Sequence, residues 1–177
     1  IRKTMNIPLV TSIWRGLASM NNSLEEVWEL TKPIYLSGTP ELALNKMIST
    51  IELPLPTIID RIQLPTLKPI DFKNIQAIIN VYNKSNGMNL MALSALIKSD
   101  FIPRVNIVNT LPTLVQNSFP RLMTKNEIKH STWEIVKKIN SIGSPNGIDS
   151  HVATLWRHLA YWPEFLSLIY NNFESLK

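Results

Sequence analysis

Cysteine is absent from this chain. That excludes disulfides, thiolate metal sites and cysteine-based redox or nucleophilic chemistry, and it fits a reducing compartment. No stretch reaches the roughly 18 consecutive apolar residues of a membrane span, and Arg15 interrupts the apolar run near the start, so neither a transmembrane helix nor a signal-peptide layout is read there. A cytoplasmic protein with no membrane partner is expected. Lys and Arg outnumber Asp and Glu by 18 to 13, a net charge of +5. The basic residues are nevertheless scattered, densest at Arg2-Lys3 and Lys137-Lys138, without the focused basic face of a nucleic-acid binder. No nucleic-acid partner is expected. Strand-type alternation is also scarce, which makes the expected fold all-α.

Metal and triad chemistry find little material. His151 and His158 lie seven residues apart, whereas a two-histidine site on a helix prefers a spacing of four. No metal and no cofactor are expected. Ser150, His151 and Asp149 contain the residue types of a hydrolytic triad, but neighbouring helical residues point in different directions and no nucleophile elbow is present.

What the chain does have is a repeat. Trp14-Arg15-Gly16-Leu17-Ala18 returns as Trp156-Arg157-His158-Leu159-Ala160, 142 residues later, and in the same register Val10 meets Val152, Leu24 meets Leu166 and Trp28 meets Tyr170. Tryptophan is rare enough that this pattern argues for one helical unit used twice. With 177 residues and 45% hydrophobic content, the chain is expected to form a single all-α domain over 1–177. Repeat 1 would span about 7–110 and a partial repeat 2 about 120–177. Ile1 is not methionine, so the chain is expected to be a processed product or a fragment.

Helical spacing predicts a helix over 8–20, with Pro8 in its first turn. Ser23 and Glu26 form a capping-box pattern for a second helix, which Pro33 is expected to end. Thr39-Pro40-Glu41 opens a third, to about Thr50. Prolines at 54, 56, 65 and 69 predict a packed connector over 53–69, and Pro103, Pro112 and Pro120 a second over 100–120. Between them Asp71 starts an amphipathic helix through Tyr82, with Phe72, Ile75, Ile78 and Ile79 on its stripe. Asn83-Lys84-Ser85-Asn86-Gly87 is expected to break it before a core helix over Met88–Lys98. Thr124 and Glu127 give another capping box for a helix ending at Gly143, the loop 144–147 follows, and Trp162-Pro163 opens the last helix.

Two groups of polar residues stand out. Arg15 and Arg157 occupy equivalent places in the two copies, where a guanidinium either holds a carboxylate in two-point fashion or, as the commoner outcome, caps a neighbouring helix or pairs with an acid. Asn86-Gly87 with Asn89 places amides at an expected break in an apolar helix; a kink would aim them inward, and a plain turn explains them equally well.

The ordered motifs Ile7-Pro8-Leu9-Val10 with Arg15-x-Leu17-Ala18 and Trp28, then Tyr82 to Asn86 with Leu90-Met91-Ala92-Leu93-Ser94-Ala95-Leu96, then Leu159-Ala160-Tyr161-Trp162-Pro163 with Leu166, cover nearly the whole chain. In these the chain resembles the group I 2-haloacid dehalogenases, also called the halocarboxylic acid dehydrogenase family. The resemblance implies an all-helical fold of two repeats, with a site between them where an Asp activates water to hydrolyse the carbon–halogen bond of short 2-haloacids. It also implies a pocket lined by an Asn and aromatic residues. By the same resemblance the pocket Asn falls on Asn86, the catalytic Asp on Leu155, the Ser before it on Thr154, and the two aromatic positions of the first copy on Leu9 and Ser12. Family members also continue well past the second copy.

Leu155 cannot take a proton from water, so the family's hydrolysis is not expected. Three readings stay open. One is a repurposed pocket that binds or converts a small carboxylic acid, with Arg15 or Arg157 near the carboxylate. Another is hydrolysis with His151 or His158, which flank Leu155, as the base. The last is a non-enzymatic helical interaction module. Because the second copy has less chain around it, a homodimer burying Phe165, Leu168, Ile169 or Phe173 is expected.

Overall fold

The computed structural model describes residues 1–51, 66–98, 119–143 and 152–174. Among them every regular element is a helix, and the all-α expectation is borne out. No helix among them is long and apolar enough to cross a membrane. The expected connectors over 53–69 and 100–120 and the loop 144–147 fall largely or wholly outside the described residues. The chain sorts into two compact units, one of Ile1–Pro54 and Asn80–Asn117, the other of Leu55–Ile79 and Ser118–Lys177.

The first unit begins with α1 (Arg2–Met5), which stops where Asn6 takes a left-handed φ of 51°. The helix expected over 8–20 is the shorter α2 (Ser12–Leu17). Its missing first turn has a chemical cause: the Val10 carbonyl, which would serve a helical turn, accepts the Arg15 Nε–H at 2.9 Å, and Pro8 contributes no backbone donor. In α3 (Ser23–Leu36) the N-cap is Asn22 with φ 55°, with no side-chain cap bond. The Ser23 capping box is thus not formed, and the Ser23 hydroxyl reaches the Asn21 carbonyl instead.

Pro33 lies inside α3 rather than ending it. It stands on the exposed side, where the helix absorbs the lost bond, and termination comes at Gly38 with φ 71°. The helix α4 (Thr39–Thr50) has the expected bounds, with Gly38 rather than Thr39 as its cap.

The largest departure is α5 (Pro69–Ile97), 29 residues without the expected break. Its residues to Ile79 belong to the second unit and those from Asn80 to the first. Each residue of the presumed break has a use within a helix. Lys84 Nζ pairs with Glu41 at 2.7 Å, Ser85 is buried against Thr11, and Asn83 and Asn86 face solvent. Gly87 makes room for a neighbour, since a Cβ there would collide with the Leu44 side chain, 2.8 Å from Cδ2. Glycine's helix penalty is exchanged here for close packing of α4 on α5. The stretch 88–97 is amphipathic rather than buried all round: Met88 and Ala92 join the core, whereas Leu90 and Ile97 are exposed. That core gathers Met5, Ile7, Trp14, Ile34, Tyr35, Leu44, Met88 and Ala92.

In the second unit the Thr124–Glu127 capping box is formed, with both reciprocal bonds, but it caps a single 3-10 turn, Lys125–Glu127. The helix proper, α6 (His130–Ile142), starts later. The repeat region is α7 (Thr154–His158) followed by a 3-10 turn, Leu159–Tyr161, and Pro163 opens α8 (Pro163–Glu174) as expected. The two Trp-Arg helices begin at Ser12 and Thr154, the same 142 residues apart as the sequence repeat. Val136, Ile139, Leu159 and Leu166 are buried in this unit, where α6 packs on α8 and α7.

Candidate functional site

In the first unit three rings converge because Trp28 and Tyr35, seven residues apart on α3, share a face toward Trp14 of α2. Trp14 meets Trp28 edge-on with centroids 5.3 Å apart, and Trp28 stacks on Tyr35 at 5.8 Å. Into this apolar wall α5 inserts one amide, Asn89. Its Oδ1 accepts the Trp14 indole N–H at 3.2 Å and the Tyr35 hydroxyl at 2.8 Å, and its Nδ2 donates to Thr11 Oγ1 at 3.2 Å. Ser85, one turn earlier, also donates to Thr11. Burial pushes the Tyr35 phenol well above its ordinary range, so it stays a neutral donor. The result is a buried polar network in which the Trp14 and Tyr35 donors both find the Asn89 oxygen as acceptor.

Beside this network runs an open groove lined by Ile13 of α2 and by Asn86, Asn89, Leu90, Leu93, Ser94 and Ile97 of α5. Asn86, the expected pocket amide, is exposed at its rim, and the buried amide is Asn89, three residues on. Continuity of the helix is the reason. With no kink at 83–87, Asn86 stays on the outer side of α5 and Asn89 turns inward. Of the other candidates near the start of the chain, Leu9 and Ser12 are half-buried, and Arg15 is exposed with its Nε given to the Val10 carbonyl.

In the second unit three side chains close on backbone carbonyls of the segment 120–123. Arg157 donates from Nε and Nη2 to the Met123 carbonyl, at 3.2 and 2.7 Å. His158 Nε2 lies 2.5 Å from the Pro120 carbonyl, and the Tyr161 hydroxyl donates to Arg121 at 2.8 Å. A carbonyl only accepts, so His158 Nε2 carries a hydrogen there, and in the neutral ring Nδ1 is the acceptor nitrogen. Desolvation lowers the His158 pKa, partly opposed by that carbonyl, and Phe119 meets its ring edge-on.

Arg121 in turn forks onto Glu127, at 3.1 and 2.5 Å. Together with the Thr124 bonds, this holds the Glu127 carboxyl down to about 2. Arg157 thus serves a structural hydrogen bond to a non-helical backbone carbonyl, which is neither the helix cap nor the acid pair expected for it. Thr154 is buried and Leu155 half-buried, and His151 lies outside the described residues. No cluster of three or more metal-ligating side chains exists among the described residues.

Comparison with protein-family models, curated proteins and solved structures returns no match. The arrangement itself offers hydrogen-bond donors and apolar walls.

Proposed function

We propose that the protein is a dehalogenase-like helical binding protein that does not hydrolyse the carbon–halogen bond, its ligand being a small organic carboxylic acid. One observation carries the loss of hydrolysis: Leu155 stands where the resemblance calls for an acid, and its neighbours Arg157 and His158 are committed to the Met123 and Pro120 carbonyls. General-base catalysis needs a free acceptor within hydrogen-bond reach of the attacking water. Support for the scaffold comes from the paired Trp-Arg helices at equal spacing, one in each compact unit. A cytoplasmic setting belongs to the same proposal.

Calorimetry of the purified chain with acetate, propionate, butyrate and their 2-chloro derivatives tests the ligand class. Saturable heat with any of them supports it, and none across the series rejects it. A second reading, a non-enzymatic interaction module, is favoured by apolar side chains on the outer side of α5, where Leu90 is 57% and Ile97 82% exposed. Under that reading the carboxylates give no heat.

A further inference from the structure

The groove of the first unit carries an inference of its own, independent of the family resemblance. Asn89, which forms part of its lining, is 5% exposed, and chemistry fixes the orientation of its amide. An indole N–H can only donate, so the atom facing Trp14 must be the carbonyl oxygen. That oxygen already accepts two bonds, from Trp14 and Tyr35. The Nδ2 group has two hydrogens and one partner among the described residues, Thr11. What Asn89 has left to offer is therefore one N–H, held rigid by three neighbours.

Around it the groove is apolar, with Ile13, Leu90, Leu93 and Ile97 as its main surface and no charged side chain among the described residues of its lining. Arg15, the cation on α2, has its Nε committed to Val10. We propose that this groove is a binding site for a small uncharged molecule bearing an acceptor oxygen on a short apolar chain, of the amide, ester or ketone class. The oxygen takes the second Nδ2 hydrogen of Asn89, and the chain lies along Leu90, Leu93 and Ile97. The groove's volume of about 360 Å³ is at the small end of ligand sites. A carboxylate would surrender its hydration for one neutral donor and no counter-charge, which burial penalises heavily. A neutral carbonyl loses far less, and it replaces whatever water had met the amide.

Titration of the full chain, labelled with nitrogen-15, separates the outcomes. Butyramide and butyrate are added separately at pH 7, and the Asn89 side-chain amide and Trp14 indole resonances are followed. Butyramide should move both with millimolar saturation, and butyrate should need about tenfold more. Leu90→Lys, at an exposed position outside the Asn89 network, should erase or reverse that preference by supplying an ammonium group. The proposal is overturned if neither resonance responds to butyramide at about 50 mM. An equal response to butyrate in the unaltered chain, or a preference unchanged in Leu90→Lys, overturns it too. Butyramide binding without any carboxylate binding would retain this site while rejecting the organic-acid reading.

Discussion

Asn89 and His158 show how single polar side chains organise each unit. Replacing Asn89 by Leu leaves the Trp14 indole N–H and the Tyr35 hydroxyl buried without an acceptor. At about 1–3 kcal/mol for each orphaned donor, Asn89→Leu should cost about 3 kcal/mol in urea unfolding. Exposed Asn86→Ala should stay within about 0.5 kcal/mol; equal losses for the two would remove the network from the account.

For His158, burial depresses the folded-state pKa, so the unfolded chain binds the proton first as pH falls. The stability this residue contributes is therefore complete above the ordinary histidine value near 6.5. It is lost progressively as pH drops through that value toward the folded one. The urea midpoint should fall between pH 7.5 and 5, and fall less in His158→Gln, which has no titrating ring. A midpoint that moves equally in both proteins would assign the acid sensitivity elsewhere.

At the scale of elements, α3 and α5 carry the sharpest tests. Pro33 gives no N–H to α3 yet stands on its exposed side, so Pro33→Ala should restore a helix bond and raise stability by about 1 kcal/mol. Gly87→Ala should lower it by about 1 kcal/mol. The helix-propensity gain is similar in size, but the new methyl must displace buried Leu44. A stabilised Gly87→Ala protein would mean that Leu44 yields freely.

Periodicity and prolines made the helical class, the bounds of α4 and the start of α8 legible in the sequence. The run Asn83–Gly87 misled because its composition is that of a turn, while its helical state depends on partners far along the chain: Glu41, Leu44 and Thr11. Those contacts are tertiary and leave no local signal. The same cause shifted the buried amide from Asn86 to Asn89, whose membership in the polar cluster could be read but whose inward orientation could not. The Arg157 clasp was not legible, because its acceptor, the Met123 carbonyl, lies in a non-helical segment 34 residues earlier.

At the scale of the molecule, two compact helical units each hold one Trp-Arg helix. On α8 the residues Phe165, Leu168 and Ile169 are half-buried and Phe173 is 44% exposed. An amphipathic face left partly open in this way is commonly closed by symmetric pairing. Light scattering at about 50 micromolar should accordingly give the mass of a dimer, with Phe173→Glu shifting it toward the monomer. A monomer in the unaltered chain would refute the pairing.

Under the proposed function, Leu155 leaves the chain without the acid that hydrolysis of a carbon–halogen bond would need. Halide release from 2-chloropropionate by the purified protein tests it most directly. The predicted result is a rate equal to the uncatalysed control at every pH from 6 to 9, and halide released in proportion to protein concentration would contradict it.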